Sequence, residues 1–487
     1  MAKPQFLLIT FPAQGHVNPA IEFAKRLIHS GAEVTFFTTD YALRRMIAKQ
    51  STATINGLSF ALFSNGYNDG FKKGDDAKHY SSEMKRRGSK ALAELIESRA
   101  NEGRPFTCSE YTLLLQWASE VAAEFRLPSV LLWVQPATVF GVYYYYFHGF
   151  GDVIKEKFSI GDDSCSIALP GLSLMSICDL PSFMYTSNIN SSIMQFFEEQ
   201  FEVLEKQGNQ KVLVNTFDEL EVEALRAICK VNLIGIGPLI PSAFQCSNEK
   251  DPSDTSFAKD PSDTSFGSDL FQCSNDYMEW LNSKPEGSVV YVSFGSFYVL
   301  KKSQREELAK GLLDFGRPFL WVITEKQIKD QNNEEEEEEL SCREELEKLG
   351  KIVPWCSQME VLSNSSLACF VTHCGWNSSM ESLSFGVPMV AFPQWLDQIT
   401  NAKLIEDVWK IGVRVKANKD GVAEGNEIKR CLDLVTGEEE KGVEIRRNAE
   451  KWKSLAREAV KEGGSSDRNF KAFVDEMIGE AAFCSHQ

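Results

Sequence analysis

One local pattern opens twice in this chain, about 280 residues apart: a strand-like apolar run, a short glycine-containing loop, then an amphipathic helix. In the first copy residues 6–11 (FLLITF) are the expected strand and residues 12–17 the loop. Asn18 is placed to cap the helix, with Pro19 in its first turn. Ile21, Ala24, Leu27 and Ile28 share one helical face, Gly31 closes the helix, and residues 33–38 (EVTFFT) read as the next strand. A strand–helix–strand unit of this kind joins parallel strands. The second copy starts with SVVYV at 288–292 and the loop SFGS at 293–296. A capping-box pattern from Ser303 to Glu306 then predicts a helix to Phe315, and FLWVI at 319–323 the following strand. Each copy has its own first strand, so the fold class is α/β with two separate sheets. A length of 487 residues, beyond what one core organises, agrees with that division.

Between the copies lies a near-duplicated polar stretch, KDPSDTSF at 250–257 and again at 259–266, flanked by FQCSN at 244–248 and 271–275. Pro, Ser, Asp and Thr dominate it, which predicts a linker or loop and not a solenoid. Six consecutive glutamates at 334–339 read as a solvated loop. Residues 129–150 are apolar enough to raise a membrane span, but Gln135, Pro136, Gly141 and His148 interrupt them; a buried strand, a loop and an aromatic-rich helix are expected instead. Near the end, Ile445, Ala449, Trp452, Leu455, Ala456 and Ala459 keep helical spacing, and Gly463-Gly464 separates them from a last helix carrying Phe470, Phe473 and Met477. The formal net charge of −18 makes nucleic acid and anionic membranes poor partners. The twelve cysteines include no CxxC pair, and the N-terminus lacks a long apolar signal region, so reduced thiols in the cytoplasm and no metal site are expected.

The chemistry concentrates in WCSQMEVLSNSSLACFVTHCGWNSSMESLSFGVPMVAFPQWLDQ at 355–398. Residues 367–372 read as a strand, 373–377 as a tight polar loop, and 378 onward as a helix ending near Gly386. Gly375 lets backbone approach a ligand, while Asn377, Ser378 and Ser379 bring amides, hydroxyls and the positive end of the helix dipole to one place, an arrangement suited to an anion. Taken alone, Asn377 and Ser378 also fit as simple helix caps. The whole stretch, with its spacing intact, resembles the signature box of plant secondary-product UDP-glycosyltransferases (family 1), nearest to the branch of crocetin, anthocyanidin 5-O and hormone-acid glucosyltransferases.

That resemblance implies a GT-B fold: two facing Rossmann-like domains with a C-terminal helix packing back on the N-terminal one. It implies an acceptor-binding domain at 1–240, a linker at 241–280, a UDP-sugar-binding domain at 281–460 and the returning helix at 461–487. It further implies that Trp355 stacks on uracil, that the Cys356 backbone bonds its edge, and that Glu381 takes the ribose hydroxyls. His373, Asn377, Ser378 and Ser296 would hold the diphosphate, and Trp376, Asp397 and Gln398 the sugar; Gln358 joins this donor set. The residue types suit these tasks: an aromatic face for a base, a carboxylate for a vicinal diol, neutral donors for phosphate oxygens. No cofactor or metal is implied, because UDP-glucose is a co-substrate.

By the same resemblance, His16 in PAQGHVNP is the base that takes the acceptor proton while the anomeric carbon inverts. Two positions depart from the family: in CSEYTLLLQWA, Thr112 stands where an aspartate usually partners that histidine, and Gln116 replaces the usual proline. Thr112 can hydrogen-bond an imidazole but cannot stabilise an imidazolium. Glu110, on the same face of a strand, is the candidate substitute. The loss hurts least for an acceptor that is already ionised, so carboxylates stand beside flavonoid hydroxyls as expected acceptors. The expected function is inverting glucose transfer to a hydroxyl or carboxyl of a small lipophilic plant metabolite, by a monomer without stable membrane insertion. Two rivals are a nicotinamide oxidoreductase, for which FPAQGH, SFGS and Gly235-Ile236-Gly237-Pro238 offer no GxGxxG turn, and a non-catalytic binder of the same fold.

Overall fold

Runs of Val, Ile, Leu and Phe without turn formers become the strands of two parallel sheets, each with helices supplying its crossovers. The computed structural model describes residues 3–47, 55–72, 74–160, 165–184, 190–206, 211–242, 276–296, 298–324 and 340–484. In the first sheet β1 (Gln5–Ile9), β2 (Glu33–Thr39), β3 (Leu58–Phe63), β4 (Cys108–Thr112), β5 (Ser129–Trp133), β8 (Lys211–Val214) and β9 (Asn232–Gly235) lie in the order β3-β2-β1-β4-β5-β8-β9. A short antiparallel ladder, β6 (Ser166–Ile167) with β7 (Met175–Ser176), stands apart from it. The second sheet has β10 (Val289–Ser293), β11 (Phe319–Val322), β12 (Lys351–Val353), β13 (Leu367–Thr372), β14 (Met389–Ala391) and β15 (Gly412–Arg414) in the order β12-β11-β10-β13-β14-β15. Both are doubly wound, and in each the order reverses between a first strand and the fourth: at β1/β4 and at β10/β13. Such switch points open a crevice at the carboxyl ends of the strands, where α/β sheets bind ligands.

The chain divides into two units, Met1–Ile177 with Phe183–Leu270 and Glu458–Gln487, and Cys178–Ser182 with Phe271–Arg457. The expected first domain thus loses Cys178–Ser182, whose hydrogen bonds run to residues of the second unit. The repeated polar stretch and the glutamate run fall outside the described residues. The last helix, Ser465–Cys484, packs on the first unit: Phe470 meets Phe23 edge-on at 5.8 Å, Ser466 donates to the Gly237 carbonyl, and Asn469 donates to the Gly235 carbonyl at 2.9 Å. Among the described residues no helix is long and apolar enough to cross a membrane. Residues 129–150 resolve into β5, the helix Ala137–Tyr145 and a π turn at Tyr146–Phe150.

Three local expectations are corrected. The first helix is Gln14–His29, starting four residues before Asn18; Ala13 is its N-cap, with its carbonyl taking the His16 and Val17 amides, so Pro19 stands inside it and His16 belongs to the first turn. The capping box at Ser303 does not form: the helix starts at Lys302, and Glu306 instead accepts the Ser341 amide at 3.0 Å and its hydroxyl at 2.6 Å. The helix after β13 starts at Trp376, capped by Gly375, which puts Asn377 and Ser378 in its first turn.

Candidate active site

In the second unit, β13 ends at Thr372 and the chain turns sharply. Thr372 Oγ1 takes the Cys374 amide at 3.2 Å, and Cys374 holds a left-handed φ of 63°. The His373 ring then fills the space between two glycines. A Cβ on Gly295, in the loop after β10, would lie 2.9 Å from the ring, and one on Gly375 would lie 2.5 Å from Nε2. Side chains at either position would evict the imidazole, which explains why both loops of the switch point carry glycine. Burial lowers the His373 pKa to about 4, with a hydrogen bond to the Ser293 backbone opposing it, so the ring is neutral at pH 7. A neutral ring can donate a hydrogen bond but brings no positive charge to the site.

The helix Trp376–Phe385 closes its first backbone bond from Ser379 to Gly375 at 3.0 Å, so the amides of residues 376–378 precede the intrahelical ladder and lie at its positive end. Gln358 ties this helix to the segment after β12. Its Nε2 donates to Ser378 Oγ at 2.9 Å and to Glu381 Oε2 at 2.6 Å, while its Oε1 accepts from Tyr291 at 3.3 Å. Tyr291 also lies 3.5 Å from Cys356 Sγ. One amide therefore sets the orientation of a carboxylate and a hydroxyl together. Trp355 is partly exposed at the start of the segment, as a stacking face must be, and Ser296 is exposed in the loop after β10.

At the other end of the box, Asp397 is buried and its pKa is raised to about 6 by burial, with a hydrogen bond from Asn401 opposing the rise. Asn401 Nδ2 reaches both Asp397 Oδ2 and the Cys374 carbonyl at 2.8 Å, which locks the carboxylate to the His373 turn. Gln398 uses Oε1 to accept the amides of Gln394 at 3.0 Å and Trp395 at 3.2 Å. The Trp376 indole is 4% exposed and packs on Trp409, centroids 5.9 Å apart, so its expected contact with a sugar is limited to the backbone amide. Asn401 and Tyr291 escaped the sequence reading. The first was findable, four residues after Asp397 on one helical face; the second was hidden as an ordinary core strand residue.

In the first unit, His16 and Thr112 flank the β1/β4 switch point. His16 Nδ1 is buried without a hydrogen-bond partner among the described residues, and burial lowers the ring's pKa to about 4. Phe11 tilts against the ring at a centroid distance of 5.3 Å. Thr112 is fully buried and accepts the Phe11 amide at 3.0 Å, so it pins the loop leaving β1 and makes no bond to the imidazole. Thr112, which could have bonded the imidazole, is engaged with the backbone instead. Glu110 shares the Thr112 face of β4 but sits opposite Leu8 in mid-strand, roughly 7 Å further back along the strand. Both its oxygens are buried with the Cys108 thiol as their polar neighbour, and burial raises its pKa to about 8, the contact with Cys108 opposing the rise. A carboxyl that is neutral at pH 7 cannot serve as counter-charge to an imidazolium.

The sequence model of the family described as "UDP-glucoronosyl and UDP-glucosyl transferase" matches residues 270–425. Phloretin 4'-O-glucosyltransferase of Malus domestica is 59% identical, over 98% of this chain and 98% of that one. The chain belongs to this family. A second relative, the chloroplastic crocetin glucosyltransferase of Gardenia jasminoides, is 57% identical over 96% of each chain. Os79 from O. sativa, solved in complex with UDP, superposes with a TM-score of 0.81 at 32% identity, covering 97% of this chain and 100% of that chain. The family's GT-B fold accounts for the two Rossmann-like units, and the chain is a glucosyltransferase.

Proposed function

We propose that the protein transfers glucose from UDP-glucose, with inversion, to a hydroxyl or carboxyl group of a small lipophilic plant metabolite, and that ionised acceptors are its best substrates at neutral pH. The observation that carries the donor half is the Gln358 amide bonded to both Ser378 and Glu381, which sets a diol-binding carboxylate beside a helix N-terminus. In this reading Trp355 stacks on the base and the Cys356 backbone bonds its edge. Glu381 takes the ribose; His373, Asn377, Ser378 and Ser296 hold the diphosphate; Asp397, Gln398 and the Trp376 amide read the sugar. The helix dipole and neutral donors offset the two phosphate charges, so the reading invokes no metal.

The acceptor oxygen bonds to the anomeric carbon as the bond to the UDP oxygen breaks. A hydroxyl acceptor delivers its proton to His16, whereas a carboxylate has none to give. With its pKa near 4 and no charged partner, His16 is a weak base. Carboxylic acids and the more acidic phenols, among carotenoid acids, hormone acids, anthocyanidins and flavonoids, therefore suit the site. Tyr143 is tilted 4.1 Å from Phe197 and 5.3 Å from Phe183 and is buried with them, so these aromatics form core. Nine free cysteines among the described residues support a reducing compartment such as the cytoplasm, and the reading takes the enzyme as a monomer.

The test is UDP release from UDP-glucose across carboxylic acids and phenols, with product mass and alkali lability recorded for the parent and for His16→Ala. Carboxylate transfer should survive the substitution within about tenfold, while phenol transfer falls by about 10²-fold or more. Equal losses for both acceptor classes would refute the role given to His16. UDP binding without any turnover would leave a non-catalytic binder.

A further inference from the structure

Five residues, Cys178–Ser182, belong to the second unit although the chain on both sides of them belongs to the first. Their bonds converge on the loop that carries Asp397 and Gln398. Leu396, the residue before Asp397, has a φ of 55°, a left-handed conformation that a branched side chain resists. Two hydrogen bonds hold it there: its amide donates to Ser182 Oγ at 2.7 Å, and its carbonyl accepts the Ser182 amide at 3.1 Å. One helical turn further on, the fully buried Thr400 hydroxyl donates to the Asp179 carbonyl at 2.7 Å. The Asp179 side chain, 4% exposed, is anchored by Arg414 Nη1 at 2.8 Å, with Lys403 at 3.7 Å. Arg414 closes β15, so the segment is fixed to the sheet itself.

We propose that Cys178–Ser182 is a strap that positions the sugar-reading end of the donor site, with Ser182 as its decisive positioning residue. This rests on the reading that Asp397 and Gln398 contact the sugar. Relaxation of Leu396 to a right-handed or extended conformation turns the peptide between residues 396 and 397 and with it the Asp397 carboxylate. Asn401 ties Asp397 to the His373 turn and Gln398 fixes the loop from within; the strap adds bonds from a distant part of the chain. The strap's bonds to Leu396, Thr400, Arg414 and Lys403 all lie at the glucose end, so its influence falls there and not on nucleotide recognition.

The experiment compares Ser182→Ala, Ser182→Thr and Gln398→Ala in the full chain. It measures Kd for UDP, KM for UDP-glucose, the preference for UDP-glucose over UDP-galactose, and Tm. Loss of one side-chain hydrogen bond predicts that Ser182→Ala raises KM for UDP-glucose and erodes the sugar preference by about five- to tenfold. Kd for UDP should stay within about twofold, and Ser182→Thr, which keeps the hydroxyl, should restore the parent values. If UDP and UDP-glucose weaken together, or all activity falls in step with Tm, the strap is structural only and the proposal is overturned. If Gln398→Ala shifts sugar preference while Ser182→Ala does not, the strap fails and the donor reading stands. If neither shifts it, the sugar-end assignment falls and takes the strap with it.

Discussion

Substituting Glu110 by Gln separates two roles that this buried carboxyl can have: a structural group held neutral, or a charged partner of His16. The carboxyl lies in the middle of a central strand, with no exposed surface and only the Cys108 thiol as a polar neighbour, and burial raises its pKa from 4.5 to about 8. The folded state therefore holds this proton more tightly than the unfolded chain does. The associated stability is fully present below pH 4.5 and is lost as pH rises through the folded value near 8. At about 1.4 kcal/mol per pKa unit, keeping the group protonated costs about 1 kcal/mol at pH 5 and about 4 at pH 7.5. Glu110→Gln removes that slope. Relative to the parent, the variant should gain about 3 kcal/mol between those two pH values, whatever constant penalty its buried amide carries. Urea unfolding at a series of pH values measures the difference, and turnover of a phenol at pH 7 should change by less than about threefold, because a neutral carboxyl stabilises no imidazolium. A flat stability difference, together with a large fall in turnover, would show that Glu110 is ionised and partners His16 after all.

Two further outcomes follow from the donor side. Gly295→Ala forces a Cβ to 2.9 Å from the His373 ring at a φ of 71°, and should cost about 1–3 kcal/mol in denaturant unfolding while weakening UDP. Gln358→Ala unties Glu381 and Ser378 at once and should raise the calorimetric Kd of UDP about tenfold, with a similar factor for UDP-glucose; an effect on UDP-glucose alone would contradict the placement of Glu381 at the ribose.

The two doubly wound sheets were legible because apolar runs, glycine loops and helical faces are local signals that burial amplifies. The donor box was legible for a different reason: its residues come from one short stretch whose order carries the resemblance. Local rules failed where another contact offered a better partner. Ser303 has the spacing of a capping box, yet Glu306 finds Ser341, and Asn18 has the chemistry of a cap, yet the helix begins four residues earlier at Gln14.

Sequence alone determined the fold class, the family and which side chains could carry the chemistry, since those depend on residue type and spacing along one stretch of chain. Tertiary structure decided their condition. Burial makes His16 and His373 neutral and weakly basic, keeps Glu110 protonated, and raises Asp397 only part of the way toward neutrality because Asn401 supports it. Packing hides the Trp376 ring and engages Thr112 with a backbone amide, and a segment more than 200 residues earlier holds Leu396 in the conformation that aims Asp397. Solvent exclusion and long-range hydrogen bonds depend on where the rest of the chain goes, which no local pattern encodes.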